Sequence, residues 1–338
     1  MKLLASVTLA GALALSAPVL AQDMDLTVLP PVENGYQPAQ TPWGEPDFRG
    51  GWPIDHLNSR TPLERSPDHG NRIFFTDEEY AEQQEQVAAL EARYENEDSS
   101  DAMGMGHWAE MGGANRRTSF IVAPANGRLP AKTAEGERLS ALMRSSWRQG
   151  QTFNHWTDFD SWDRCITRGL PASMLPMMYN NGIRIFQAPG LVAIQLEMIH
   201  EVRIIPTDGR AAVPRQIAQW MGDSRAHWED ANTLVVETTN FRPGASATNV
   251  VTSGSPPNND TPISTRAKLV EYFHMTGADT ITYDFTYDDP EIFTQPWAVR
   301  LNWQRDDDYQ HFEYACHEGN VQIRNYITAS RAARAAAE

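Results

Sequence analysis

Residues 268–305, KLVEYFHMTGADTITYDFTYDDPEIFTQPWAVRLNWQR, decide the fold. Leu269, Glu271 and Phe273 alternate with polar or smaller neighbours, then Ile281, Tyr283, Phe285 and Tyr287 do the same, and Ala298 to Arg305 follows suit. Period-two runs rich in β-branched and aromatic residues read as strands with one buried face. The short connection Thr276-Gly277-Ala278-Asp279 makes the first two antiparallel neighbours. Outward from this stretch the same pattern predicts strands at Thr118–Val122, Ile183–Gln187, Val192–Leu196, Ile199–Ile205, His227–Trp228, Leu234–Thr239 and His311–Cys316. The expectation is a mainly β fold, an antiparallel up-and-down, lipocalin-like barrel of about eight to ten strands, with a sandwich as the alternative.

Before the strands the chain changes character. Gln22 to Asn71 is rich in Pro and Gly and reads as an extended arm. Thr76 to Asn96, with acids at its start and helix formers throughout, predicts a surface helix, and Ala134 to Trp147 a second. Between them DSSDAMGMGHWAEMGG reads as a mobile loop or lid. The expected division is a signal peptide over 1–21, arm and helix over 22–115, one barrel domain over 116–330, and a tail over 331–338.

Met1 to Ala21 combines a basic start, an apolar run and small residues before a polar Gln22, the pattern of a cleaved secretory signal. The expected location is therefore periplasmic or secreted, without membrane insertion. Net charge is −16, with 44 acidic against 28 basic residues and no basic cluster, which argues against a nucleic-acid partner. Two cysteines in an exported chain, Cys165 and Cys316, are expected to pair.

Polar residues on apolar strand faces are the candidates for chemistry, because burying one without a partner is costly. Parity through an unbroken strand places His200 among Val192, Ile194, Leu196, Val202 and Ile204, with Glu197, Glu201 and Arg203 opposite. Glu271 and Glu237 fall on apolar faces of their own strands, and Tyr283 and Trp303 supply part of an aromatic wall. If Cys165 joins Cys316, the segment from His155 to Gly182 lies beside YACHEGN, bringing Tyr179, Asn180 and Asn181 towards His317, Glu318 and Asn320.

The expected chemistry is acid–base catalysis on a small aromatic compound held in the barrel. His200 would be general acid or base, since its reference pKa lies near neutrality. Glu271 or Glu237 would orient it, Tyr179 would donate to developing charge, and Asn180, Tyr283, Trp303 and His317 would bind substrate. The alternatives are a carrier that uses the cavity to hold an apolar aromatic ligand, and a hydrolase. A metal on His200, His317 and a carboxylate is one hydrolytic variant. The other uses Ser224 of GDS with Asp308 and His311, but that block precedes a β hairpin, not the strand-to-helix turn of GDS-type esterases. The zinc-protease pattern fails at CHEGN, where the second histidine position is Val321.

The strings TPWGEPDFRGGW, RCITRGLP, MLPMMYNNG, EMIHEVRIIPTDGR, GDSRAHWEDANTLVVETTNF and YACHEGN together resemble a large family of secreted proteobacterial and acidobacterial proteins. The likeness covers nearly the whole chain after the signal. Sphingomonad relatives are similar to exported or membrane-associated enzymes that break down lignin-derived aromatic dimers. What the resemblance implies is a lyase or decarboxylase step on a small, lignin-derived aromatic compound without a cofactor; it carries over no catalytic residues.

Overall fold

The computed structural model describes residues 25–33, 35–100, 104–255 and 257–337, so the segment expected to be a signal peptide, 1–21, lies outside the described residues. Ten strands form two antiparallel sheets. The smaller contains β1 (Gly50–Gly51), β3 (Ile183–Ala188), β4 (Leu191–Leu196) and β5 (Val202–Pro206) in the order β1-β3-β4-β5. The larger contains β2 (Ile121–Ala123), β6 (Asp223–Trp228), β7 (Thr233–Thr239), β8 (Lys268–Gly277), β9 (Thr280–Asp288) and β10 (Trp297–Gln304), ordered β2-β10-β9-β8-β7-β6. β3 to β5 and β6 to β10 each pair in sequence, as a meander requires, whereas β1 joins β3 and β2 joins β10 out of sequence. No described ladder joins the two sheets into a closed barrel. At one seam Asp306 N–H donates to the Gly51 carbonyl at 3.0 Å, linking β1 to the chain just after β10.

The 268–305 stretch behaves as its alternation requires. Phe273 pairs with Tyr283 across β8 and β9, and Tyr283 with Leu301 across β9 and β10, which puts one row of large side chains on one face. Both sheets bury their apolar faces in one shared core. Phe273 lies 4.9 Å and Trp303 4.7 Å from the Tyr283 ring, centroid to centroid, and all three are fully buried. The expected aromatic cavity is thus corrected. Tyr283 and Trp303 are close-packed core, because their rings fill the space they were expected to line.

Helix α1 (Asp77–Ser99) starts where expected, on a capping box in which Thr76 Oγ1 accepts from Glu79 N–H and Glu79 Oε2 accepts from Thr76 N–H at 2.8 Å. Helix α2 (Ala134–Leu142) stops five residues short of the expected Trp147. Two strand expectations fail. Residues 198–200 form a 3-10 turn between β4 and β5, with Ile199 and His200 both in the left-handed region, φ 57° and 46°. A β-branched residue there is uncommon and is sustained only by its surroundings. The segment His311–Cys316 is not a strand either. It runs irregularly into a helical turn, α3 (Cys316–Gly319), and then α4 (Gln322–Ala335), which crosses the expected tail boundary at 330. Tyr326 packs edge-on to Phe153 at 5.6 Å, docking α4 on the preceding irregular region.

Candidate functional site

The turn at Ile199–His200 rearranges the expected constellation. Shifting a strand by one residue exchanges its faces, and beyond the turn Arg203 and Ile205 point inward while Val202 and Ile204 are exposed. Arg203 therefore enters the core, where Nη1 donates to Glu271 Oε1 at 2.7 Å and Nη2 to Glu271 Oε2. Tyr283 OH donates to the same carboxylate at 2.8 Å. Glu271 is on an apolar face as expected, but it is fully buried and its partners are a guanidinium and a phenol. Glu237 is corrected outward. It is half-exposed and pairs with Lys268 at 2.8 Å. His200 is exposed on the turn, its Nδ1 3.3 Å from the Tyr314 carbonyl, and His317 is exposed on α3.

Cys165 and Cys316 are joined, with Cα atoms 5.8 Å apart. The bridge does bring the loop ending at Gly182 to the C-terminal segment. Asn320 Nδ2 donates to the Asp163 carbonyl at 2.8 Å, and the Tyr179 and Tyr314 rings stack at 6.4 Å, within 7° of parallel. Of the expected site residues, Tyr179 and Asn180 are the two that lie together on a cavity.

That cavity, about 710 Å³, is walled by Gly106 to Glu110, Tyr179, Asn180 and Phe312. Trp108 meets Tyr179 edge-to-face at 5.0 Å. Its polar wall is Glu110, which accepts from Asn180 N–H at 2.8 Å, Asn181 N–H at 3.1 Å, Asn181 Nδ2 at 2.7 Å and Tyr309 OH at 3.0 Å. The Tyr309 hydroxyl also lies 2.8 Å from Glu197 Oε2. Glu197, buried behind, accepts from Asn180 Nδ2 at 2.9 Å, Gly182 N–H at 3.0 Å and Phe312 N–H at 2.8 Å. Asn180 adopts φ 54°, which asparagine tolerates, and so sends its N–H to one glutamate and its side chain to the other. Gly182 has no room for a side chain, since a Cβ there would sit 2.6 Å from Glu197 Oε2 and 2.8 Å from His311 Nε2. His311 packs edge-on to Tyr309 at 5.5 Å, and both its ring nitrogens are buried without a hydrogen-bond partner among the described residues.

Burial pushes the Glu110 carboxyl above the ordinary glutamate range, against the opposing pull of Asn181, Asn180 and Tyr309. Burial and the two carboxylates beside it push Tyr309 far above the usual phenol range, so its hydroxyl stays a donor.

On the other side of Tyr179 lies a second recess of about 470 Å³, walled by Trp147, Trp162, Tyr314, Asp163, Asn320 and Cys316. Asp163, on its wall, donates its N–H to Asp160 Oδ1 at 2.7 Å. Burial raises both, and for Asp160 the Asp163 charge adds to the effect. Nearby, burial pushes Glu201 up to about 7 despite hydrogen bonding from Thr167 Oγ1 at 2.9 Å.

A carboxyl raised in the folded state binds its proton more tightly there than in the unfolded chain. Its cost is absent below its unfolded pKa and grows as pH rises towards the folded value. Glu201→Gln keeps an acceptor for Thr167 and removes the ionisation. The variant should lose less unfolding temperature than the parent between pH 4.5 and 7, a window running from the ordinary glutamate value to the raised one. Parallel pH profiles of the two proteins would show that Glu201 titrates normally.

Glu110, Glu197 and Tyr309 were not among the expected catalytic residues, and His311 was considered only with Ser224 and Asp308 in the GDS hydrolase alternative. Glu110 had one signal, an acid two residues from Trp108 within a Met- and Gly-rich loop read as a mobile loop or lid. Glu197 was placed opposite the apolar face because the turn after it was read as strand. Among the described residues no group of three or more His, Cys, Asp or Glu has a metal-holding arrangement, and no helix is long and apolar enough to cross a membrane. No family model matches the chain, and no curated protein matches it.

Proposed function

We propose that the protein is an exported enzyme that performs acid–base chemistry on a small phenolic compound in the Trp108–Tyr179 cavity, a lyase or decarboxylase step without a redox cofactor. The observation that carries this reading is Glu110, a partly desolvated carboxyl on the wall of an aromatic cavity, coupled through the Tyr309 hydroxyl to Glu197. A carboxyl whose burial favours its protonated form is suited to act as general acid as well as base. Glu110 is the general acid or base. Tyr179 and Asn180 contact the substrate, with the rings of Trp108 and Tyr179 packing on its aromatic part. Glu197 and Tyr309 are positioning residues, holding Asn180 and Glu110 in place. Export supplies the context, since paired cysteines are compatible with an oxidising compartment. A closed barrel is the architecture proposed for the two sheets, with β5 beside β6 and β1 beside the end of β10.

The test is mass spectrometry of the purified protein incubated with a panel of phenolic dimers bearing benzylic hydroxyl or carboxylate groups. Turnover should appear, and Glu110→Gln should lower it by about a hundredfold or more while quenching of tryptophan fluorescence by the dimer is retained. Undiminished turnover in that variant would sink the assignment. The exposed rings of Trp108 and Phe312 favour a second reading, a carrier for an aromatic ligand. A carrier returns every dimer unchanged. The serine-hydrolase variant has little support, because Ser224 is buried in β6 and its hydroxyl pairs with Thr238 at 2.8 Å.

A further inference from the structure

A separate cleft of about 580 Å³ lies between the polar face of β8–β10 and the arm segment Leu29–Glu33. Two guanidiniums line it, and they are not equivalent. Arg300 is neutralised by a carboxylate: Nε and Nη2 each meet an Asp284 oxygen at 2.6 Å, and Nη1 donates to the Pro30 carbonyl at 2.8 Å, pinning the arm. Arg117 has no carboxylate partner among the described residues. Its Nη2 donates to the Ser119 carbonyl at 3.2 Å, its Nε is buried without an acceptor, and its guanidinium carbon lies 5.9 Å from the Phe74 ring centroid. Burial first, then the like charges of Arg300 and Arg65, push Arg117 down to about 10, so it remains a cation at neutral pH.

A partly buried guanidinium without an ion-pair partner among the described residues, with Asp284 as the carboxylate that acts on it from beyond contact, is a candidate anion site in a chain of net charge −16. Glu33, the acid on the cleft wall, is exposed and makes no ion pair with Arg117. The rest of the wall is mixed: Leu29, Phe74 and Phe120 are apolar, while Thr276 and Thr280 offer hydroxyls. A planar two-oxygen anion matches a guanidinium edge, and an attached hydrocarbon matches the apolar wall.

We propose that this cleft binds a small organic carboxylate, its anionic head on Arg117 and its hydrocarbon body against Leu29, Phe74 and Phe120. The site is distinct from the Tyr179 cavity and shares no lining residue with it.

The probe is 4-bromobenzoate, with 4-bromobenzamide as the uncharged control of the same shape. The benzoate should raise the unfolding temperature in a concentration-dependent way, the benzamide should not, and soaked crystals should show the bromine anomalous peak in the cleft beside Arg117. Arg117→Gln should weaken benzoate binding by about tenfold or more, read by calorimetry on protein whose circular dichroism matches the parent. The anomalous map needs no variant, so a misfolded Arg117→Gln leaves the test intact. A bromine peak elsewhere, an equal shift with the benzamide, or no shift with either compound would overturn the site. An equal shift with sulfate would overturn the carboxylate class.

Discussion

Glu271→Ala should destabilise the protein by about 3–5 kcal/mol, because it leaves the Arg203 guanidinium buried without a counter-charge. Arg203 and Glu271 are both almost completely inaccessible, at 2% and 0% side-chain exposure, so solvent does not screen the broken pair. The Tyr283 hydroxyl would also lose its acceptor, since Glu271 Oε1 is the one it is given. Removing all three polar groups at once has a different expected outcome. Arg203→Met with Glu271→Leu and Tyr283→Phe replaces a desolvated network by apolar volume, and such replacements are often neutral or stabilising. Denaturant unfolding of the single and triple variants measures the contrast. The decisive combination is stability with activity: a Glu271→Ala protein of parental stability that has lost turnover of a phenolic dimer would return Glu271 to the catalytic role expected from sequence. Loss of stability with turnover retained at low temperature would establish the network as structural.

The same residues show what strand parity reveals and where it stops. Glu271 was legible as an acid on an apolar face because β8 alternates without interruption from Lys268 to Met275. Its partner was not, since Arg203 follows a left-handed pair, Ile199–His200, that nothing local in EMIHEVRI announces. Ile is among the residues least suited to that conformation, so propensity argued for strand, and the packing of Ile199 with Met177 and Met198 overrode it. The error propagated. It put His200 inside and Glu197 outside, and the structure has them the other way round. The β8–β10 meander, helix α1 and the cysteine pair were legible because each rests on a strong local or compositional signal. Helix α4 was missed although its Ala- and Arg-rich sequence favours a helix; the expected division ended the barrel domain at 330 and left 331–338 as a tail. Glu110 and Tyr309 could not be joined by any local rule, being 199 residues apart in sequence.

That long-range joining depends on the C-terminal segment, and the double variant Cys165→Ala/Cys316→Ala should show it. The bridge spans 151 residues, for which chain entropy alone gives a loss of about 5 kcal/mol on removal. The loss should also be uneven. Beyond the last strand, the chain from Tyr309 to Ala337 is held by Tyr309 OH on Glu110 and Glu197, Phe312 N–H on Glu197, Asn320 on the Asp163 carbonyl, and Tyr326 against Phe153 and Phe159. None of these is a sheet ladder, so the segment is able to release while both sheets stay paired. Hydrogen exchange of the double variant should therefore lose protection over 309–337 and over 177–182, whose asparagines bond the same glutamates, and keep it in β7–β10. Glu110 would then lose a donor and its cover together, so turnover should fall further than the fraction unfolded explains. Uniform loss of protection across the sheets would mean the bridge acts only through the unfolded chain. Unchanged protection with unchanged melting would mean the noncovalent contacts suffice to hold the segment over the cavity.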